Sequence, residues 1–268
     1  RDRTLIVRPE LGFSPVPGTA SETRAGRAPM AHTVYMFELV GQFFRSRAFS
    51  AANVTSFLQS FGMFGAIFLL AQFLQVVQGY SPLEAGLRTL PWTGMPILVA
   101  PIAGMLSDRI GSRPLVVTGM GLMAVGLGWF ALISSPTVAY SSQVPGLVVC
   151  GVGMSLYFAP IANLVLSTVK RKEEGKASGV NNAVREVGGV FGIAALASVF
   201  SAVGGYYPAE LFVDGTEAAL WIAVGAVVLA GASALLIPAR RAAAVGSEPA
   251  PAGFAPESVL VADPLPQE

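Results

Sequence analysis

The chain has 268 residues; 53% are hydrophobic, the mean hydropathy is +0.61 and the net charge is +1. Only 12% are charged, where an ordinary soluble domain carries roughly 25%. Disorder over most of the length is excluded by this hydrophobicity, a disulfide framework by the single Cys150 and a Cys/His zinc site by one cysteine and one histidine; the small net charge gives no argument for a nucleic-acid partner, and none is expected. The class that remains is an all-α, polytopic membrane protein, with the lipid bilayer as its solvent.

Residues 1–33 are rich in Arg, Pro, Gly, Ser and Thr, show no hydrophobic period and read as a disordered N-terminal segment. The chain starts at Arg1 rather than Met, and no charged region leads into an apolar signal core. The expectation is a piece of a longer protein. Residues 34–50 set Tyr35, Phe37, Phe43 and Phe44 beside Arg45 and Arg47. An interfacial helix and a plain linker fit them equally well.

From Ala48 onwards the spacing of charge gives the architecture. Ala48–Leu83 is free of charge for 36 residues, Thr89–Ser107 for 19, Leu115–Val169 for 55, Val187–Ala209 for 23 and Ala218–Ala239 for 22. A membrane helix needs about 20 apolar residues at 1.5 Å each. The 55-residue run therefore holds two spans, with Ser134–Thr137 and Tyr140–Gln143 supplying the turn. The prediction is six transmembrane helices at about 51–77, 86–106, 114–133, 144–168, 179–202 and 217–237, within a domain covering 51–240, followed by a disordered cytoplasmic tail at 241–268. Strands of a membrane barrel are about 10 residues long and alternate in polarity; these runs are apolar throughout.

In the first span, Phe57, Phe61, Phe64 and Phe68 share one helix face, and Asn53, Ser56, Gln59, Ser60 and Met63 another. Two readings are open. Either the amides bridge helices while the phenylalanines face lipid, or Gln59 and Phe61 belong to the wall of an amphiphile cavity. The second span carries Pro91, Pro96 and Pro101, each able to kink it. Trp92 near its outer end reads as an interfacial anchor. The fourth span has Tyr157 and Asn163 on either side of Pro160; both are cavity candidates, with helix–helix hydrogen bonding the competing reading. Near the start of the fifth span, Arg185 and Glu186 are candidates for a charge relay, or else lie at the interface with Arg185 reaching to water. The small-residue pairs Gly62/Ala66, Ala100/Gly104, Ala124/Gly128, Gly151/Ser155 and Gly188/Gly192 predict close helix packing.

One set of loops holds Arg45, Arg47, Arg109, Arg113, Lys170, Arg171, Lys172, Lys176, Arg185, Arg240 and Arg241; the opposite set holds Arg88. The positive-inside rule then places both ends of the six-helix unit in the cytoplasm. The stretch 203–217, with Glu210, Asp214 and Glu217, is expected to be an external loop.

Between spans two and three lies Gly104-Met-Leu106-Ser-Asp108-Arg109-Ile-Gly111-Ser-Arg113. Physically it is a helix end, a glycine turn and a helix start, where Asp108 can cap a helix or pair with the arginines. The pattern resembles the G-x-L-x-D-R-x-G-x-R loop of the major facilitator superfamily. The stretches Gln75–Leu87, Phe44–Phe49 and Gly175–Gly179 resemble the EmrB/QacA-like drug:proton antiporters, the fourteen-span branch. The likeness covers about residues 36–240 and concerns the C-terminal half.

The resemblance implies a 3+3 inverted repeat, a proton gradient in place of a cofactor, and a gate latch made by Asp108, Arg109 and Arg113 with Gly104 and Gly111. It also implies a partner: an N-terminal half of six to eight helices, which holds the family's antiporter motif and its usual proton-coupling acids. Amphiphilic or cationic small molecules are the expected substrates, and the bacterial cytoplasmic membrane the expected location. An exporter of a metabolite or sugar, and a non-transporting helical module that needs a partner half, remain open. An enzyme is not expected, because His32, the single histidine, lies outside the bundle and no nucleophile–base pair is visible.

Overall fold

The structure, a computed structural model, describes residues 44–167, 169 and 173–237. The expected disordered segments at 1–33 and 241–268 lie outside the described residues. So do residues 34–43 of the interfacial stretch and the basic residues Lys170–Lys172, Arg240 and Arg241.

The described residues form helices and short turns, with no strand among them. Helix α1 (Arg47–Gln72) continues as a π-helical turn at Phe73–Val77. The second span is two helices, α2 (Pro82–Thr93) and α3 (Met95–Ile110). Then follow α4 (Ser112–Ile133), α5 (Tyr140–Leu166), α6 (Glu174–Val203) and α7 (Ala209–Leu235). Together they make six spans of 22–31 residues, each long and apolar enough to cross a membrane.

All six spans start earlier than the hydropathy reading, most plainly the sixth. The second span starts at Pro82 because Ser81 caps it. The Ser81 hydroxyl accepts from Glu84 N–H at 3.3 Å while Glu84 Oε2 accepts from Ser81 N–H at 2.9 Å, a capping box with proline at the first helical position. The fifth span starts at Glu174 rather than 179. The sixth starts at Ala209, so Glu210, Asp214 and Glu217 lie on the first turns of α7 and not in an external loop. Charge interrupts a hydropathy window but not a helix, and a glutamate in the first turn suits the helix dipole.

The proline prediction is realised as a break. Pro96 has no N–H to give to Trp92 C=O, and the helix divides at Gly94. A β-carbon on Gly151 of α5 would sit 2.7 Å from that Trp92 oxygen, so the broken segment lies directly on α5.

The most extensive packing joins α4 to α5, α1 to α6, α4 to α7 and α1 to α7, and the second span to α5. Exchanging spans one to three with four to six maps these pairs onto themselves. Span one on five becomes four on two, one on six becomes four on three, and three on six is unchanged. Successive spans reverse direction, so spans one and four are antiparallel. This is the inverted 3+3 arrangement.

Glycines set the closest approaches. Gly119 of α4 and Gly153 of α5 face each other, a β-carbon on either meeting the other's carbonyl oxygen at 2.6 Å. Gly188 and Gly192 of α6 press on the backbone of Phe57 and Phe61. The pairs Ala100/Gly104 and Ala124/Gly128 do not serve this purpose within the chain, since nothing lies within 4 Å of a β-carbon at Gly104 or Gly128.

Candidate functional site

The 3–4 spacing of polar residues on α1 becomes a buried seam. Asn53, Ser56, Gln59 and Ser60 all point inward and are almost wholly buried. Helix α6 contributes Asn181, whose Nδ2 donates to Asn53 Oδ1 at 3.1 Å and to Ser56 Oγ at 2.9 Å. Asn53 Nδ2 in turn donates to Phe49 C=O at 2.9 Å. The amides therefore bridge helices, as buried polar groups must. Gln59 is satisfied along its own helix, donating to Met63 Sδ at 3.2 Å and accepting from Ser60 Oγ at 3.3 Å.

Tyr157 enters from α5 and is fully buried. Its hydroxyl lies within reach of Ser56. Its ring meets Phe158 edge-on, with centroids 5.4 Å apart. The Arg185 guanidinium lies over the Phe158 ring at 4.5 Å.

Next to this seam, between α5 and α6, opens a cleft. Phe158, Ile161 and Val165 of α5 give it an apolar wall. Ser178, Asn182 and Arg185 of α6 give it a polar, cationic one. An apolar wall facing amides and a fixed charge is suited to an amphiphile. Arg185 lies eleven residues past the start of a 30-residue helix.

The other predicted residues are dispersed. Phe61 lies in the α1–α6 contact, where its backbone abuts Gly192, and its ring neighbours Phe57 at 6.4 Å. The phenylalanine stripe thus packs partly on α6 rather than wholly facing lipid; Phe57 also stacks near Phe191 at 6.3 Å. Asn163 is exposed and does not line the cleft. Glu186 is exposed on α6 and makes no ion pair with Arg185 among the described residues. Gln59, Phe61, Tyr157 and Asn163 do not share one wall. Sequence reasoning missed Asn181 and Phe158 as site residues. An amide recurring at the same depth in spans one and five could have pointed to Asn181; nothing singles out Phe158.

The loop between α3 and α4 closes on one residue, Gly111, with φ +90°, a region that suits glycine. Ser107 and Ser112 hydroxyls bridge the turn at 2.8 Å. Asp108 occupies the last turn of α3, so it caps no helix N-terminus. Asp108 and Arg109 are exposed, and no ion pair joins Asp108 to an arginine among the described residues. Arg113 donates instead to Leu235 C=O, tying the loop to the end of α7. Gly104 stands one turn earlier with open space around it.

At the opposite end, Arg88 lies between two tyrosines, 3.8 Å from the Tyr80 ring centroid and 4.6 Å from that of Tyr140. Trp92 is not an interfacial anchor. It is 1% exposed and borders a second, small and mainly apolar pocket together with Gln143.

Six apolar spans in an inverted repeat, with a polar seam opening on an amphipathic cleft, define a multi-pass membrane protein of transporter architecture. The sequence pattern of the Major Facilitator Superfamily matches residues 13–193 and 52–265, and the chain belongs to that superfamily. It is 35% identical over 159 residues to the multidrug resistance protein Stp of Mycobacterium tuberculosis, covering 59% of this chain and 29% of that protein. It is 31% identical over 166 residues to the tetracenomycin C resistance and export protein of Streptomyces glaucescens, covering 62% and 31%. With the multidrug efflux pump LfrA of Mycolicibacterium smegmatis it shares 29% over 231 residues, covering 82% and 44%. The chain thus spans less than half the length of these relatives. A bacterial homologue of the human drug peptide transporters PepT1 and PepT2 has a similar fold, with a TM-score of 0.62 at 18% identity, covering 71% of this chain and 42% of that one.

Proposed function

We propose that the chain supplies the C-terminal six-helix half of a proton-coupled drug efflux transporter that works by alternating access. The observation that carries this reading is the cleft between α5 and α6, where a phenylalanine wall faces Asn182 and Arg185 beside a buried polar seam. The names of the relatives, which concern drug resistance and export, support it. A second helical half completes the substrate path, and the basic end of the bundle faces the cytoplasm of a bacterial cell. Asp108 and Arg109 are exposed at that end, where they act as gate residues against the partner half. Glu186, a carboxylate carried within a span, is the proton carrier proposed for this half.

The test is reconstitution of the chain with the half that completes it, in vesicles under an imposed pH gradient. A fluorescent amphiphile is expected to move when the gradient is applied, and the movement is expected to stop when the gradient is collapsed. Glu186→Gln should abolish the gradient-driven movement but spare exchange of amphiphile across the membrane. Movement that ignores the gradient would overturn proton coupling; no movement at all would overturn efflux.

A further inference from the structure

Arg185 carries a full charge on a membrane-spanning helix, where an ionised side chain is costly unless paired. Its Nε is sealed from solvent and has no hydrogen-bond partner. No ion pair involving Arg185 exists among the described residues, and its sequence neighbour Glu186 is exposed. What holds the guanidinium is the face of Phe158 at 4.5 Å, a cation–π contact that fixes its plane but satisfies none of its N–H groups. Asn182 and Ser178 stand in the same cleft. The arrangement offers a planar cation, amide and hydroxyl donors and an apolar wall, with no carboxylate among the described residues that line it.

We propose that this cleft binds the carboxylate of an amphiphilic small molecule, with Arg185 as its counter-charge and the apolar tail against Phe158, Ile161 and Val165. The inference rests on the efflux reading for its biological setting and names the substrate class of the same site. It departs from the expectation of cationic substrates. A permanent cation in the cleft would face the guanidinium, whereas a carboxylate matches its two-pronged donor geometry.

The experiment measures binding of three ten-carbon probes, decanoate, decanol and decyltrimethylammonium, to the purified chain in lipid nanodiscs at pH 7.5. Decyl phosphate serves as a fourth probe that mimics a lipid headgroup. Decanoate is expected to bind about tenfold tighter than decanol, and the ammonium probe weakest. Arg185→Gln should erase the preference for decanoate, and Arg185→Lys should retain part of it, which separates lost charge from lost fold. Asn163→Ala, outside the cleft, should change nothing. Equal binding of decanoate and decanol, or a preference that survives Arg185→Gln, would overturn the proposal. Decyl phosphate binding tenfold tighter than decanoate would overturn it in favour of a lipid headgroup. Binding is read without transport, so the two readings fail separately. Absent carboxylate preference with intact proton-driven movement sinks this inference alone, and carboxylate preference without transport sinks efflux alone.

Discussion

Asn181 is the residue through which α6 and α1 are fastened. Its one amide nitrogen serves both Asn53 Oδ1 and Ser56 Oγ. Removing it leaves two buried acceptors without that donor, a loss of about 1–3 kcal/mol. Asn181→Ala is therefore expected to lower the thermal midpoint of the detergent-solubilised chain. Its neighbour Asn182 is exposed, and Asn182→Ala should stay within about 0.5 kcal/mol of the parent. Equal midpoints for the two variants would remove the seam from the account of stability. The amides themselves are legible in the sequence, since any amide in an apolar span asks for a partner. Which amide meets which is not, because 128 positions separate Asn53 from Asn181. Gln59 shows the limit: its spacing suggests a cavity wall, yet its amide is satisfied by Met63 and Ser60 of its own helix.

Among the elements, α6 depends most visibly on small residues. Phe57 and Phe61 present backbone, which cannot yield, to Gly188 and Gly192. Gly192→Leu is expected to force α6 off α1 and to cost more than about 3 kcal/mol, in the class of severe overpacking. It should show as loss of a monodisperse peak in size-exclusion chromatography. Gly128→Ala, with nothing within 4 Å, should leave the peak and the thermal midpoint unchanged. The sequence pattern of small pairs does not distinguish these cases. Every membrane helix carries small residues, and their function depends on the helix opposite. Element boundaries follow the same division. Ser81 and Glu84 form a capping box that sequence can reveal, whereas Glu210 and Asp214 on α7 look like loop until the helix is seen to project past the apolar stretch.

For the whole molecule, the second and fifth spans are the least enclosed. Ile97, Leu98 and Met105 on α3 and Val190 and Phe191 on α6 are exposed. The inverted repeat puts these two spans in equivalent places, each flanking the other repeat's first helix. If a second helical half completes the protein, these faces are the expected contact. Cysteines at Met105 and Val190 should cross-link to a co-expressed N-terminal half, whereas a cysteine at Leu229 on α7 should label from the lipid phase. Cross-linking from Leu229 and none from Met105 or Val190 would place the junction elsewhere.

The sequence alone determined the membrane class, the six spans, the glycine turn at Gly111 and the superfamily. These follow from the bilayer as solvent, which demands long uncharged helices and sorts charge to their ends, both one-dimensional patterns. Only the tertiary structure decided that Trp92 is buried, that Asn163 faces out, that Asn181 bridges to α1 and that Arg185 lies on Phe158. In a soluble helix an apolar stripe marks the core. In a membrane bundle the lipid face and the core face are both apolar, so the side that turns inward is set by the neighbouring helices.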